Sequence, residues 1–396
     1  MKIGLVLPAP PGYSETFFRS KIKGLTANGV EVVLFVNSST RVADLPCIVK
    51  AQLPVYQSGL LNTISVILTF VKALFSYPKV VSKFIPTERR TGKSWQKVLE
   101  SLYINHHILS EKQLDWLHFG FATMAVGREQ VAQAIGAKMA VSFRGYDVSI
   151  YPLKHNRCYD LLWQKLDKVH TISDDLFQIA CGLGLSSKVA FKKITPAINI
   201  RQFERTSTNH QLLTTKEQPL NLLTVARLHW KKGLEYTLQA LVLSKNKGID
   251  FRYTIIGEGE EYERLAFAAH QLGIREQVHF AGKVPHNQIK AYYEQADIYL
   301  QYSIQEGFCN AVLEAQAMGL LCIVSDAEGL PENVLHGQSG WVVPKRHPQL
   351  LAEQINQVLQ MDEQKLNAIR RFAVQRVQEE FNLEKQQREF LEFYMA

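Results

Sequence analysis

Short apolar runs alternate with amphipathic stretches along most of the chain. Nearly continuous apolar runs of this length are typical of strands buried on both faces of a parallel sheet, and helical spacing fills the intervals. The pattern predicts an α/β chain of two doubly wound, Rossmann-like sheets. The runs lie at residues 2–8, 30–36, 138–144, 168–173, 220–227, 251–257, 277–282, 296–301 and 320–326.

The alternation is interrupted between residues 195 and 221, where the sequence is polar and has no sustained period. A chain of 396 residues is long enough for two domains of ordinary size. We therefore predict an N-terminal domain of residues 1–197 and a C-terminal domain of residues 198–379. The last segment, 380–396, has aromatic and aliphatic residues at helical spacing and is expected to pack back on the N-terminal domain.

Composition adds a charge asymmetry to this picture. Residues 1–200 hold 24 Lys and Arg against 13 Asp and Glu, a net charge of +11, whereas residues 201–396 hold 21 against 24, a net charge of −3. This asymmetry suggests an anionic partner for the N-terminal half, such as a phospholipid surface, a phosphorylated substrate or nucleic acid, or else a merely solvated basic face. The five cysteines show no CxxC spacing, so we expect no disulfide framework, no zinc site and a cytoplasmic setting.

The most apolar stretch, residues 59–77, is about long enough to span a bilayer. It contains Asn62, Ser65 and Lys72 and precedes a basic segment, so we expect a packed or surface amphipathic helix rather than a span. The segment 71–97 mixes seven Lys and Arg with apolar residues, which suits a peripheral position on an anionic membrane at its inner face. An ordinary core-facing helix followed by a solvated loop is the alternative.

Ligands of parallel sheets bind where the strands end, so the residues directly after each run are candidates for a site. Arg227 ends one run, and Lys232 follows directly before Gly233 and a helix. A diphosphate needs paired cations and free backbone N–H donors, and this loop can supply both. Basic residues in a solvated loop are nevertheless common, so this motif alone is a weak indication.

Two glutamates, Glu306 and Glu314, follow the run at 296–301. The first falls in a loop and the second more than a turn inside a helix, which separates them by about 12 Å, more than the roughly 5–9.5 Å of glycosidase carboxylate pairs. The pair would suit the two ends of a sugar nucleotide, with the N–H groups of Cys309 and Asn310 facing phosphate. Alternatively, Glu306 only caps a helix and Glu314 forms a surface ion pair.

Taken together, these motifs resemble a known family. The stretch 279–343, the arginine-to-lysine motif TVARLHWKKG and the Glu-x7-Glu pair are similar to retaining, nucleotide-sugar-dependent GT-B glycosyltransferases of the sucrose-synthase and mannosyltransferase group. The segments APPGYSETFFRSKIKGL, DWLHFG and SFRGYD resemble its exopolysaccharide branch, which includes the colanic acid transferases. The resemblance implies two domains facing across a cleft and transfer of a hexose from a nucleoside-diphosphate sugar to a glycan or lipid-linked acceptor of surface polysaccharide biosynthesis.

The resemblance also implies roles for individual residues. Glu306 would hold sugar hydroxyls, Glu314 the ribose, and the Arg227 and Lys232 cations the diphosphate. The expected catalytic residues are Glu306, Arg227, Lys232 and His118. The expected donor site comprises Gly12, Arg227, Lys232, Glu306, Gly307, Phe308, Cys309, Asn310, Glu314 and Glu332, and the expected acceptor side comprises His118, Arg144 and Asp147.

Two positions depart from the family pattern, and the chain also lacks a motif that a metal-dependent transferase would need. Cys309 stands where the family commonly has glycine. Arg144 stands where the family usually has a histidine, and a guanidinium cannot act as a base near neutral pH. The chain has no DxD sequence, so we expect Arg227, Lys232 and a helix N-terminus to neutralise the leaving diphosphate without a metal, and no cofactor besides the donor substrate.

Two other functions remain open at this stage. One is a different enzyme on the same architecture, such as a nucleotide-sugar epimerase or a phosphorylase. The other is a non-catalytic binder of an anionic ligand such as nucleic acid. The basic residues are not interleaved with a platform of stacking aromatic residues, which disfavours single-strand binding, so we expect no nucleic-acid partner.

Overall fold

The computed structural model describes residues 1–12, 16–38, 45–205 and 218–395. It divides into an N-terminal unit, Met1–Ile194 with Gln387–Ala396, and a C-terminal unit, Thr195–Gln386. The boundary between the units therefore lies three residues before the predicted one, and the last ten residues belong to the N-terminal unit. Ser14, a plausible helix cap by sequence, and the middle of the predicted linker lie outside the described residues.

The N-terminal unit contains a seven-stranded parallel sheet with the strand order β3-β2-β1-β4-β5-β6-β7. The strands are β1 (Lys2–Leu7), β2 (Glu31–Val36), β3 (Ile48–Ala51), β4 (Trp116–Phe119), β5 (Lys138–Phe143), β6 (Lys168–Thr171) and β7 (Ala190–Lys193). The helices are α1 (Thr16–Ala27), α2 (Gly59–Ser76), α3 (Pro78–Arg90), α4 (Trp95–Leu109), α5 (Val131–Ile135), α6 (Tyr146–Ser149), α7 (Tyr151–Lys154), α8 (Asp160–Trp163) and α9 (Asp174–Gly182).

The C-terminal unit contains a six-stranded parallel sheet with the strand order β10-β9-β8-β11-β12-β13. The strands are β8 (Leu220–Val225), β9 (Phe251–Ile256), β10 (Val278–Gly282), β11 (Ile298–Gln301), β12 (Leu321–Ser325) and β13 (Trp341–Val343). The helices are α10 (Leu234–Asn246), α11 (Tyr262–Gln271), α12 (Ile289–Gln295), α13 (Asn310–Ala317), α14 (Leu330–Asn333), α15 (Pro348–Leu359), α16 (Glu363–Glu380) and α17 (Leu383–Met395), whose last residues belong to the N-terminal unit.

The predicted fold class, two parallel α/β sheets, is confirmed. All nine apolar runs contain strands, and β12 is buried at each of its five positions, as expected of a strand covered on both faces. Four strands were not predicted, namely β3, β4, β7 and β13, and none is longer than four residues. Runs this short carry too little periodicity to be separated from the loops around them.

The chain's C-terminal helix, α17, completes the core of the N-terminal unit. Phe390, Phe393 and Tyr394 are buried, and the Phe390 ring meets the Phe17 ring edge-on at 5.6 Å. The indole N–H of Trp116 donates to the carbonyl oxygen of Tyr394 over 3.1 Å. The end of the chain therefore packs on the first half of the sequence, as its aromatic spacing suggested.

Candidate active site

The loop that follows β8 carries three cationic residues, Arg227, Lys231 and Lys232. After Arg227 the chain forms a 3-10 turn, Trp230–Lys232, and then reaches Gly233, which has a left-handed φ of 59° and leads into α10. A Cβ atom at Gly233 would overlap the carbonyl oxygen of Tyr302, so only glycine fits this close approach. The tight turn places Lys231 and Lys232 directly before the first turn of a thirteen-residue helix.

A second loop, after β9, packs its backbone directly against this one. Cβ atoms at Gly257 and Gly259 would overlap the carbonyl oxygens of Ala226 and Leu228, and the Leu228 N–H donates to the Glu258 carbonyl over 3.0 Å. The two glycines thus hold the arginine-bearing loop in position. This role was not predicted from the sequence, although a Gly-x-Gly directly after a strand is a recognisable signal of close backbone approach.

A third loop, residues 302–309, follows β11, the neighbour of β8 in the sheet. The backbone N–H groups of Ile304 and Gln305 both donate to the carbonyl oxygen of Lys231, over 2.7 and 3.2 Å. Because β8 and β11 are parallel neighbours, their carboxyl ends lie at the same edge of the sheet, and these bonds join the loops there. The structure therefore brings the predicted cationic loop and the predicted glutamate loop together.

Lys232 and Glu306 form an ion pair where the two loops meet, with side chains only 16% and 13% exposed. Burial acts to lower the pKa of Lys232, but the Glu306 carboxylate outweighs it, so the pKa lies above its ordinary value. The Ser303 hydroxyl also donates to the Glu306 carboxylate, over 3.4 Å. Lys232 is therefore a fixed, protonated ammonium group, and Glu306 is a carboxylate with a fixed position.

The backbone of Glu306 is clamped by the loop after β12. Its N–H donates to the Glu328 carboxylate over 2.6 Å, and its carbonyl accepts from the Gly329 N–H over 3.0 Å. Glu328 has a φ of 42°, a left-handed conformation that is uncommon outside glycine. Such strain persists where surrounding contacts impose it, and it occurs frequently at functional sites.

Arg227 is exposed, in contrast to Lys232, and within the described residues its guanidinium forms no ion pair. Its positive charge nevertheless acts on the neighbouring Lys231. Burial lowers the pKa of Lys231, and the Arg227 guanidinium lowers it further. Three cations thus lie close enough together to repel one another, an arrangement that an anion with several charges would stabilise.

One donor-site expectation is wrong in its detail. The Cys309 N–H does not point at a free phosphate position, because it donates to the Asn333 side-chain oxygen over 2.9 Å. The Asn333 amide in turn donates to the Cys309 carbonyl over 3.2 Å, so the two residues lock the start of α13 to α14. Asn310 lies one residue further on as the first residue of α13 and is half-buried, and Gly307 beside Glu306 is buried.

Glu314 lies in the second turn of α13 and is almost buried, with 8% of its side chain exposed. His286 Nε2 and the Tyr293 hydroxyl each donate to a different oxygen of its carboxylate, over 3.0 Å. The hydrogen bond with Glu314 raises the pKa of His286, although partial burial opposes it. The surface ion pair considered for Glu314 is therefore excluded, and His286 is a site residue that sequence analysis did not identify.

The remaining residues of the expected donor site are Phe308, Glu332 and Gly12. Phe308 is buried, and its ring lies 5.6 Å from that of Phe381, so its side chain is a packing residue. Glu332 is half-buried in α14, and its carbonyl oxygen accepts from Arg376 over 2.8 Å. Gly12 in the N-terminal unit is exposed, and a Cβ there would meet nothing within 4 Å, so its expected role at phosphate stays a prediction.

His118, an expected catalytic and acceptor-side residue, lies inside β4, where it is 0% exposed. Its Nδ1 accepts from the Tyr394 hydroxyl over 2.6 Å, which leaves Nε2 protonated to donate to Ser142 over 2.8 Å. The Ser142 hydroxyl then donates to His170, which donates to the Ile194 carbonyl. The expectation that His118 contacts the acceptor or acts in catalysis is therefore wrong: it is a core histidine whose two nitrogens are both used.

Asp147 is likewise not available to an acceptor. It is 1% exposed, and its carboxylate accepts from the backbone N–H groups of Ala122 and Arg144, over 3.2 and 3.0 Å. Burial raises the pKa of Asp147, while these hydrogen bonds oppose the shift. Arg144 is half-buried, with its guanidinium 3.9 Å from the centre of the Phe17 ring. It is the one of the three expected acceptor-side residues that keeps partial exposure.

Within the described residues, no group of three or more His, Cys, Asp and Glu side chains has a geometry that could hold a metal ion. The site does present one fixed cation, Lys232, beside the fixed carboxylate of Glu306, with Arg227 and Lys231 on the same loop at the carboxyl end of β8. Such a set can bind an anionic group through charge and hold a hydroxylated group through hydrogen bonds.

The sequence and the fold are both similar to those of known proteins. Residues 206–375 match the family described as group 1 glycosyl transferases. WcaL of Salmonella typhimurium, named as a glycosyltransferase of colanic acid biosynthesis, is 29% identical over 273 residues. That match covers 67% of this chain and 66% of the relative, which is just under two thirds of its length.

Two solved structures resemble the whole chain. Sucrose-phosphate synthase of Thermosynechococcus elongatus is 20% identical, has a TM-score of 0.71 and matches 100% of this chain and 98% of its own. HepE of Anabaena, solved with UDP and glucose, is 16% identical, has a TM-score of 0.69 and matches 99% of this chain and 98% of its own. The chain therefore has the GT-B fold, its residues 206–375 match the group 1 glycosyl transferase family, and it is similar in sequence to an enzyme named for colanic acid biosynthesis.

Proposed function

We propose that the protein is a retaining glycosyltransferase of the sucrose-synthase and mannosyltransferase group. It would transfer a hexose from a nucleoside-diphosphate sugar to a glycan or lipid-linked acceptor of exopolysaccharide biosynthesis. The observation that carries this proposal is the ion pair between Lys232 and Glu306, which joins the cationic loop to the glutamate loop. A cation for the diphosphate and a carboxylate for the sugar are thereby held side by side.

The cationic loop would stabilise the leaving group of the transfer reaction. When the bond between the sugar C1 and the diphosphate breaks, negative charge grows on the diphosphate oxygens. Lys232 is held protonated for that purpose, Arg227 projects into solvent, and the N-terminus of α10 begins directly after Gly233. Charges fixed in place before the reaction need no reorganisation in the transition state, which is why such sites accelerate group transfer.

We assign the two glutamates to the two ends of the donor. Glu306 would accept hydrogen bonds from the sugar hydroxyls, since its position is fixed by Lys232 and by its clamped backbone. Glu314, held by His286 and Tyr293, would accept from the ribose hydroxyls. HepE has been solved with UDP, which supports a donor of the same chemical class for this chain.

We infer the acceptor and the stereochemistry from the similarity to the family and to the relative. WcaL is named for colanic acid biosynthesis, so an acceptor on the pathway to a surface polysaccharide is the reasonable assignment. We place the reaction in the cytoplasm, where nucleotide sugars are used. Retention of configuration is inferred from the resemblance, and the anomeric proton coupling of the product decides it.

A panel of nucleotides tests the donor assignment. We expect one nucleoside diphosphate, and its sugar derivative, to raise the melting temperature, because a ligand at 100 times its Kd adds about 2.7 kcal/mol to the free energy of unfolding. The matching nucleoside should have little effect, because it lacks the diphosphate that the cationic loop binds. If no nucleoside diphosphate and no sugar nucleotide shifts the melting curve at millimolar concentration, the proposal is wrong.

Removal of divalent metal is expected to leave activity largely intact. Arg227, Lys231 and Lys232 supply positive charge where the diphosphate would bind, which is the work that a metal does in other transferases. The measurement is sugar transfer by the enzyme before and after EDTA and desalting. Activity that is lost with EDTA and restored by magnesium or manganese would contradict the metal-independent mechanism.

A further inference from the structure

The helix α2 of the N-terminal unit exposes an apolar stripe. Its large apolar side chains between Leu60 and Phe75 are from 42% to 84% exposed, with the exception of Val66, which is buried, and Phe70, which is half-buried. Exposed residues such as Leu60, Ile64, Leu68 and Phe75 recur at helical spacing, so the stripe covers one side of the helix over an arc of roughly 140°. The buried side is marked by Val66, Thr69 and Ala73.

This arrangement is the reverse of an ordinary surface helix, which turns its apolar side to the core. The helix has a mean hydropathy of 1.6, and only 11% of it is buried. Lys72 is its one charged residue. A contiguous exposed apolar surface of this kind marks a binding surface on soluble proteins.

Basic residues surround the stripe, with no exposed acidic residue to offset them. Residues 59–97 hold seven Lys and Arg against one carboxylate, Glu88, which is 0% exposed and bonded to Lys93. Lys79, Lys83 and Arg90 are exposed on α3, which packs against α2. The surface is thus apolar and cationic at once, complementary to a bilayer whose headgroups carry negative charge.

The contacts at the two ends of α2 favour an orientation of this helix along a membrane rather than across it. By length and composition α2 could span a bilayer. Both of its ends, however, are tied to the same unit, because Tyr103 donates to the Pro54 carbonyl ahead of the helix and Tyr77 directly after it bonds to His106. A spanning helix would have to separate these ends by the whole thickness of the bilayer.

We propose that α2 is a membrane-docking element that inserts the side chains of Leu60, Ile64, Leu68 and Phe75 into an anionic bilayer, while basic residues of α3 contact the lipid headgroups. An exposed Trp95, at the start of α4 with Arg89 over its ring at 5.0 Å, belongs to the same surface. Tryptophan is enriched at membrane interfaces because its ring has both an apolar part and a polar part. The inference extends the proposed function by placing the enzyme where a lipid-linked acceptor would be found.

Vesicle flotation of the full chain tests this surface without donor or acceptor, so its outcome is separate from that of the transferase proposal. We expect binding to phosphatidylcholine vesicles that contain about one third phosphatidylglycerol, and much weaker binding to phosphatidylcholine alone, because headgroup charge attracts the basic residues. Raising the salt concentration should reduce binding but not abolish it, since the apolar contribution is not screened. Recovery of all the protein in the unbound fraction with both kinds of vesicle would overturn the proposal.

Two variants locate the contact. The variant Ile64→Ser, Leu68→Ser, Phe75→Ser removes only exposed side chains and should bind anionic vesicles at least about tenfold more weakly, because less apolar area is buried. The matched control Leu153→Ser, Phe267→Ser, Met395→Ser removes apolar side chains of similar exposure elsewhere and should bind like wild type. Equal binding of the two variants would overturn the role of α2.

A second pair of variants tests the role of the basic residues. The test variant is Lys79→Glu, Lys83→Glu, Arg90→Glu, and its control is Lys112→Glu, Lys188→Glu, Lys365→Glu at other exposed sites. Lys93 is left unchanged because it neutralises the buried Glu88. Binding should fall in the first variant only, and equal loss in both would mean that net charge rather than this surface is responsible.

A second copy of the chain is the competing occupant of the apolar stripe. If lipid-free wild type is a dimer and the serine variant of α2 is a monomer, that copy covers the stripe and the membrane proposal is wrong.

Discussion

Lys232→Ala is expected to weaken the binding of a nucleoside diphosphate by at least tenfold and also to destabilise the protein. Loss of a charge-assisted bond of about 1.5–3 kcal/mol accounts for the loss of affinity. The destabilisation has a separate cause, because the mostly buried carboxylate of Glu306 is left without its partner. Breaking a buried pair in this way costs about 3–5 kcal/mol where both groups are fully desolvated, so the effect here is at or below that range.

Arg227→Ala separates these two effects, because its side chain is exposed. It should weaken nucleotide binding by a similar factor while the melting temperature changes little. Titration calorimetry with the nucleoside diphosphate, beside thermal unfolding of each variant, measures both quantities. Lys247→Ala, at an exposed lysine beyond the end of α10, is the control and should alter neither. If both Arg227→Ala and Lys232→Ala bind as wild type does, the loop is not the phosphate site.

Glu306→Gln is expected to lower turnover by about a hundredfold or more, the size of effect seen when one preorganised electrostatic contact is removed. Glutamine has the same shape and can still accept a hydrogen bond from Lys232, so the loss of stability should be small beside the loss of rate. In combination with Lys232→Ala it should recover part of the lost stability, because no unpaired carboxylate then remains, without recovering nucleotide affinity. Steady-state kinetics and thermal unfolding on the same preparations give both values.

Two other glutamates serve as comparisons for Glu306. The exposed Glu353→Gln should behave as wild type, and Glu314→Gln should raise KM for the donor more than it lowers kcat, because the ribose is remote from the bond that breaks. If Glu306→Gln instead unfolds at much lower temperature while its folded fraction keeps full activity, the residue only supports the loop.

The central part of the site could be predicted from the sequence because it depends on local rules. Arg227, Lys232 and Glu306 each follow an apolar run, and residues at the ends of neighbouring parallel strands must meet. The pairing of the strands β8 and β11, which are more than seventy residues apart, then makes the ion pair between Lys232 and Glu306. Alternation of strands and helices predicted the fold for the same reason.

The misassigned residues depend on partners far away in the sequence. Nothing near His118 shows that Tyr394, 276 positions later, occupies its Nδ1. Likewise nothing near Cys309 shows that its N–H is taken by Asn333. A polar residue beside a predicted strand end can face solvent or the core, and a shift of one position along the strand decides which. Burial of this kind becomes visible only when the tertiary structure is known.

The aromatic end of α17 has a consequence for the synthesis of the protein. The N-terminal unit needs Phe393 and Tyr394 to cover Trp116 and to occupy Nδ1 of His118, yet the ribosome makes these residues only after the C-terminal unit. At roughly 5–20 residues per second, the intervening C-terminal unit takes about 10–40 s to translate. During that interval the nascent first domain exposes an apolar groove, so the N-terminal unit, although begun first, cannot complete its core until the C-terminal unit has been made.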